Sequence, residues 1–507
     1  MMLRLRPLAL LSSFALLGSS AVAAPDDWAE GAAGRDDGAN ATEYNRAGDL
    51  KWRNRTGDWR DAEGVPQGPK PLAATVIVDD DKTRPVEWDV TGLVRDWASG
   101  KLRNKGIALR NVNGGGTFNF HSREVENADD RPRLEVMVNG QPRKFEAVAD
   151  TYLERSTYRP QGANKKIAVN GELPLLVRFD LSELKPADKI DKATLRLVTF
   201  AQYASGQPQV GVFLCDQGEE LKPVDPLPGL AAKHPGDRGI EKDPDVLFAT
   251  GFESPDWQKE WSSVGGKVDT VADDPETKFE PLAGKACRVH LAKGNTGAMN
   301  VIYKFQKQHG QEPEEIYFRY YLRFGDDWKQ TLDGGKMPGI SGTYGDAGWG
   351  GRKVNGKDGW SARGSFHLTI PEGNPLAGKQ PIGWYCYHAD MEGFYGSGWL
   401  WNQGYRGFLD NNRWYCVEQQ VKMNTPGANG EQGKRDGILR AWIDGRPAFE
   451  KTDIRYRDVD KLKIEQIWMN VYHGGTRPSP RDQHLYVDNV VVAKKYIGPI
   501  GSATTGD

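Results

Sequence analysis

The chain has almost no helical periodicity. Its apolar residues instead recur at every second position in short runs such as "LLVRFDL", "ATLRLVTF", "EIYFRYYLRF", "WYCVEQQVKMN", "ILRAWIDG" and "HLYVDNVVVA". Alternation with period two sends one set of side chains into a core and the other toward water, as half-buried strands require. Clusters of Gly, Asn, Asp and Pro separate the runs, and "WIDGRP" carries an Asp-Gly hairpin signal. Many short strands joined by tight turns predict an all-β protein built of sandwiches or jelly rolls.

With 507 residues, more than one such unit is expected. The clearest break is "KPVDPLPGLAAKHPGDRGIEKDPD", rich in Pro, Gly and charge, which reads as a linker over 223–245. One β-sandwich is expected over 28–222, a second β-rich unit over 246–498, and a frayed tail over 499–507. At the N-terminus, Arg4 and Arg6 precede the apolar run "LALLSSFALLG", and small residues follow near Ala23. This is the pattern of a secretory signal peptide over 1–23, too short to span a bilayer. The expectation is an exported, soluble protein, extracellular or periplasmic, monomeric and without a membrane partner.

A formal net charge of −2 gives no global field for nucleic acid. The four cysteines, Cys215, Cys287, Cys386 and Cys416, form no metal-ligand cluster. Cys386 and Cys416 fall in one unit, where a disulfide and a pair of buried thiols are both compatible with the spacing. No cofactor is required by any motif, although a structural calcium fits either sandwich.

In the N-terminal half, "EWDVTGLVRDWASG", "GIALRN" and "FNFHSREVENADDRPRLEVMV" precede "ADTYLERSTY", "LLVRFDLSEL" and "KIDKATLRLVTF". These segments resemble the DNRLRE-type β-sandwich modules attached to secreted carbohydrate enzymes, but with the two halves in reversed order. A single composite or circularly permuted sandwich is favoured over two half-modules, which would leave open edges and small cores. The resemblance implies carbohydrate binding.

Three segments of the C-terminal unit carry candidate chemistry. "GGKMPG" holds Lys336 between glycines and a Met-Pro-Gly turn. "GWSARGSFHL" reads as a strand with Ser361, Arg363 and Ser365 on one face, and His367 in the same parity. "GWYCYHAD" reads as a strand with Tyr385 and Tyr387 on one face. A face of Ser and Arg beside one of two Tyr is a poor core and a plausible groove floor. Together, in this order, the segments resemble polysaccharide lyase family 14, whose members cleave alginate or glucuronan on a β-jelly roll with a concanavalin-like sandwich. The resemblance implies a groove built around Lys336, Ser361, Arg363, Tyr385 and Tyr387. Met337 stands where leucine is usual, and "PEGNPLAGKQP" looks like an inserted loop.

The chemistry is coherent without the family. Eliminating across C4–C5 of a uronate removes a proton beside a charged carboxylate, so the carboxylate must be neutralised and the enediolate stabilised. Lys336 and Arg363 supply cations for an acidic polysaccharide partner. Tyr387 is the candidate acid and base, with its pKa lowered by those cations, and Tyr385 supports it. Ser361 positions the substrate, and His473 in "NVYHGGT" completes the groove. His367, Trp384 and Trp399 are further candidates for contacting sugar. A non-catalytic carbohydrate-binding protein keeps the same cations without a proton shuttle. A jelly-roll glycoside hydrolase requires a carboxylate pair; Glu418 stands alone in its strand and Asp488 reads as a turn or sheet residue.

Overall fold

The computed structural model describes residues 28–501 apart from 32–36, 55, 78–82, 114–115, 155–158, 204–208, 217–225, 330–332, 368–369, 371, 373, 375 and 476. The leader and the extreme C-terminus lie outside the described residues.

The alternating runs are strands, and the described sheets are antiparallel. In the N-terminal unit the long strand Ile190–Tyr203 pairs with Arg133–Val138, Pro85–Asp89 and Thr117–His121. Leu175–Phe179 likewise pairs with Gln141–Tyr152 and Ile107–Asn113. Strands from both halves of the reversed motif order therefore belong to one sheet network. They share one core containing Trp88, Leu109, Phe118, Leu134, Val177, Leu195 and Val212. The buried Trp88 indole satisfies its N–H on the Val210 carbonyl at 2.7 Å. One short helix, Thr91–Ala98, seats Leu93, Val94 and Trp97 on this core.

The C-terminal unit stacks two sheets. The first contains β1 (Ser263–Gly266), β2 (Gly297–Lys304), β3 (Gly335–Gly342), β4 (Trp360–Phe366), β5 (Gln380–Tyr387), β6 (Ser397–Leu400) and β7 (Gln466–His473). Their spatial order is β1-β2-β7-β3-β4-β5-β6, with Phe408–Leu409 also pairing β5. The second sheet runs Val268–Val271, Ala286–Leu291, Gln483–Ala493, Glu315–Phe324, Tyr415–Lys422, Gly437–Ile443 and Arg446–Ile454. In its central strand Ile316, Phe318, Tyr320, Leu322 and Phe324 turn to the shared core. They meet Met337, Ile340, Trp360, Ala362, Trp384, Cys386, Ile467 and Met469 from the first sheet. The Asp444-Gly445 hairpin forms where its dipeptide predicts it, with both residues at positive φ.

The segment expected as a linker is packed over its described part. Leu230, Ala231 and Ile240 bury against Val491 and Ala493 of the second sheet and against Ile497 beyond it. Asp237 engages the fully buried Arg319. Pro, Gly and charge suggest a linker, yet three apolar residues and one carboxylate suffice to dock the segment.

The two units also touch. Trp28, Tyr44, Leu50 and Trp52 share an apolar cluster with Ile370, Leu376 and Phe408. The Asn45 and Asn374 side-chain amides exchange hydrogen bonds of 2.9 and 3.0 Å, and the Tyr44 and Tyr405 hydroxyls meet. The described part of the expected inserted loop thus rests on the N-terminal unit. All four cysteines are buried and free, so of the two readings of Cys386 and Cys416 the thiols hold.

Candidate active site

The sequence of β3 explains why a lysine is framed by glycines. A Cβ on Gly335 would lie 1.9 Å from the Phe366 ring, and one on Gly339 2.4 Å from the Ala362 carbonyl and Arg363 Cα. Only glycine lets β3 come this close to its neighbours. Between them Pro338 withholds a ladder donor, and the register against β7 shifts between Lys336 and Gly339. The buried Gln419 amide donates to the Pro338 carbonyl at 2.9 Å and holds the irregularity from the opposite sheet. Lys336 therefore stands on a strand, not on the loop its composition suggests. Met337 turns into the core while Lys336 turns away from it.

The expected shared faces are present. Arg363 pairs with Tyr385 and Ser361 with Tyr387 across β4–β5, so all four project on one side. The alternate residues Trp360, Ala362, Trp384 and Cys386 enter the core. Lys336 Nζ lies 4.4 Å from the centroid of the Tyr385 ring, and Arg363 Cζ 5.6 Å from it. Tyr385 and Tyr387 meet edge to face at 5.6 Å.

The face is recessed. Ser361, Arg363, Ser365 and Tyr387 are buried, while Lys336 and Tyr385 are half-buried. Ser361 donates to the Gly348 carbonyl at 2.7 Å, and the Gly351 N–H donates to the Tyr387 hydroxyl oxygen at 3.1 Å. Ala347 and Val354 pack against Tyr387 from the same loop.

Burial, with a smaller contribution from Arg363, pushes the Lys336 ammonium down to about 8. Burial pushes Arg363 down to about 10 against the opposing pull of nearby tyrosines. Among the described residues no carboxylate pairs with either cation. Arg363 has a side-chain partner in Asn470 Oδ1 at 3.4 Å, and its Nε is buried without a partner. The expectation that cations lower the tyrosines is not met at Tyr385. Burial, and then the neighbouring Tyr387, raise it, and Arg363 opposes this only in part.

Of the other candidates, His367 lies beyond the end of β4. Its Nε2 is 3.0 Å from Ser365 Oγ, its ring lies over Gly383 and Gly398, and burial pushes it down to about 4. A neutral imidazole thus borders the face. His473 does not join the cluster: it is buried, its ring neighbours Phe366, and Nδ1 lies 3.0 Å from the Arg477 carbonyl. Its neighbour Tyr472 pairs with Lys336 instead. Trp384 is fully buried in the core, edge-on to Trp401. Trp399, paired with Trp384, stacks between His388 and Phe449. Neither tryptophan faces the cations.

Three contributors are absent from the sequence reading. Trp468 lies under Arg363 at 4.7 Å, Asn470 is its hydrogen-bond acceptor, and Tyr472 flanks Lys336 at 5.9 Å. "WMNVY" already shows these three at alternate positions. Glu418 and Asp488 belong to the other sheet; Glu418 accepts from the Ile497 and Gly498 N–H groups at 2.8 Å.

Residues 284–490 match the family model Polysaccharide lyase 14, and residues 34–136 match the Disaggregatase related repeat domain. The C-terminal unit is thus a polysaccharide lyase 14 domain, and the N-terminal half carries a disaggregatase-related repeat. Similar solved structures include the alginate lyase Aly36B, at 22% identity and TM-score 0.36, over 49% of this chain and 94% of that one. The alginate lyase vAL-1 from Chlorella virus is 20% identical, with TM-score 0.36, over 49% and 99%. The marine PL-14 alginate lyase from Aplysia kurodai is 15% identical, with TM-score 0.36, over 49% and 98%. No curated protein matches the chain.

Proposed function

We propose that this polysaccharide lyase 14 domain cleaves a uronic-acid polymer by β-elimination, with alginate the first candidate and glucuronan the second. The observation that carries the reading is a buried arginine and a half-buried lysine, Arg363 and Lys336, set beside two tyrosines and, among the described residues, facing no carboxylate of their own. Holding a charge out of water without a partner is costly. A substrate carboxylate entering this face would supply the missing partner. Arg363, backed by Trp468 and Asn470, would grip it, and Lys336 would stabilise the enediolate that forms when C5 loses its proton.

Tyr387, hydrogen-bonded to the Gly351 N–H, would exchange protons with C5 and with the departing O4. Tyr385 would hold Tyr387 through the edge-to-face contact of their rings. Ser361, committed to the Gly348 carbonyl, would brace the loop over Tyr387 and position substrate through it. The positively charged leader and its apolar run support export, and the resemblance of the N-terminal sandwich supports a role in holding polymer. The C-terminal unit is read as a concanavalin-like jelly roll working as a monomer without a cofactor.

The test is ultraviolet absorbance of the unsaturated product on polymannuronate, polyguluronate, glucuronan and a glycosaminoglycan, with Tyr387→Phe as control. Absorbance rising on one polymer and lost in the control supports elimination. New reducing ends without absorbance would make the domain a hydrolase. Binding alone would make it a carbohydrate-binding protein.

A further inference from the structure

Outside the candidate active site, a cluster of three carboxylates lies in the N-terminal sandwich. Glu30, Glu124 and Asp150 each present a carboxylate oxygen, and these atoms all lie within 4.8 Å of one another. They come from three separate places: the N-terminal segment, the loop after strand Thr117–His121, and strand Gln141–Tyr152. Their internal bonds account for only part of their acceptor capacity. The Asp150 N–H donates to Glu30 Oε1 at 2.7 Å, and the Arg123 N–H to Asp150 Oδ2 at 2.7 Å. The Arg123 guanidinium donates to Glu30 Oε2 at 2.8 Å and to Glu124 Oε1 at 3.2 Å.

Two carboxylate oxygens remain. Asp150 is 0% exposed, and its Oδ1 has no partner; Glu124 Oε2 is also buried and unpartnered. A carboxylate sealed from water with one oxygen unpartnered, on a side chain that also approaches two more carboxylates, is an expensive arrangement that native proteins rarely leave uncompensated. Burial comes first, and then the neighbouring carboxylates, in raising Asp150 well above the usual range. Two further arginines stand nearby: Arg131 Nε donates to the Val125 carbonyl and Arg178 to the Trp28 carbonyl, and their charges also favour the ionised forms of Glu124 and Glu30 respectively. Arg123 brings its guanidinium to Glu30 and Glu124 but meets Asp150 through its backbone N–H.

We infer that Glu30, Glu124 and Asp150 form a divalent cation site, fitted to calcium, that fastens the N-terminal segment to the sandwich. The donor set is all oxygen, as a hard cation prefers. Oxygens about 2.4 Å from a common ion can be no more than about 4.8 Å apart, and these meet that limit. Calcium tolerates the irregular geometry of ligands drawn from three segments, whereas magnesium demands a near-ideal octahedron. The site has a mechanical consequence. The segment that Glu30 anchors leads into Tyr44, Leu50 and Trp52, which pack on the lyase domain. A cation here would therefore stiffen the junction between the units without touching the catalytic face.

The test uses the full chain, stripped with a chelator and titrated with calcium by calorimetry, with thermal melting in parallel. Calcium should bind once, with a Kd of about 10⁻³ M or tighter, and should raise Tm by mass action. Glu124→Gln, at a partly exposed position, should weaken binding at least about tenfold, the scale of losing one charged ligand. Asp150→Asn should do the same. Absence of heat and of a Tm shift in the unsubstituted protein overturns the inference, as does binding unchanged in Glu124→Gln. Magnesium binding more tightly than calcium overturns the assignment to calcium.

Discussion

Arg319 and Arg363 are both buried in the middle of a sheet of the same domain, one in each layer. Arg319 is fully buried and doubly bonded to Asp237, with further bonds to the Gly498 and Asn489 carbonyls at 3.2 Å. Its ionised form is strongly favoured despite burial, because Asp237 lies against it. Arg363 is buried to a similar degree, stacked over Trp468 and Tyr385, and among the described residues meets a single amide oxygen. Its ionised form is disfavoured, with burial pushing the group down to about 10. A cation that serves the fold brings its counter-charge with it. On the proposed function, Arg363 is instead held ready for a substrate carboxylate, and the fold bears the desolvation cost.

The contrast is sharpest when each arginine is removed. Arg363→Met should reduce kcat by about 10²–10⁴-fold, the scale of a lost electrostatic or proton-transfer contribution, while leaving Tm unchanged or higher. Arg319→Met should do the reverse. It strands Asp237 and should destabilise the domain by about 3–5 kcal/mol, with turnover per folded molecule preserved. Denaturant melts and steady-state kinetics on the same two proteins check both halves, and matching losses in both assays would erase the distinction.

Lys336→Met should cost about 10²-fold in kcat/KM, again with no loss of Tm at neutral pH. The pH dependence follows from its folded-state value of about 8, against about 10.4 unfolded. Between those values the unfolded chain binds more protons, so wild-type stability should rise with pH relative to Lys336→Met. Activity should run the other way: the cation is lost as pH passes about 8, so kcat/KM should fall there. A pH profile and a pH series of melts would show these opposite slopes.

The smallest effect is expected at the junction of the two units. Asn45→Ala removes one side of a reciprocal amide pair and should cost about 1 kcal/mol, seen as a lower midpoint in denaturant. It should leave cleavage of short oligomers unchanged. A large loss of activity would mean that the N-terminal unit shapes the catalytic face directly.

Much of this was legible in the sequence because period two survives in "WSARGSF" and "GWYCY". Those strands give the shared faces, and the paired register brings Arg363 to Tyr385. The same rule explains the candidates that face elsewhere. In β7 a shift of one residue turns a side chain to the other face, so His473 enters the core side while Tyr472, one position earlier, flanks Lys336. Histidine chemistry drew attention to the wrong parity. Trp384 and Trp399 follow the same logic, since Trp384 alternates with Tyr385 and pairs with Trp399. The strand character of "GGKMPG" was hidden by its Gly and Pro content. It depends on close approach to Phe366 and Ala362, which no local pattern encodes. The docking of Leu230 and Ile240 was likewise hidden, because a few long-range apolar contacts outweigh a linker-like composition.

The most direct measurement compares cleavage of a polyuronate with cleavage of its methyl ester, by unsubstituted protein and by Arg363→Ala. Esterification removes the charge that Arg363 would neutralise on the proposed function. The account predicts that the rate ratio between the two proteins is large on the free acid and falls at least about tenfold on the ester, the scale of one charge-assisted contact. An equal ratio on both polymers would contradict it.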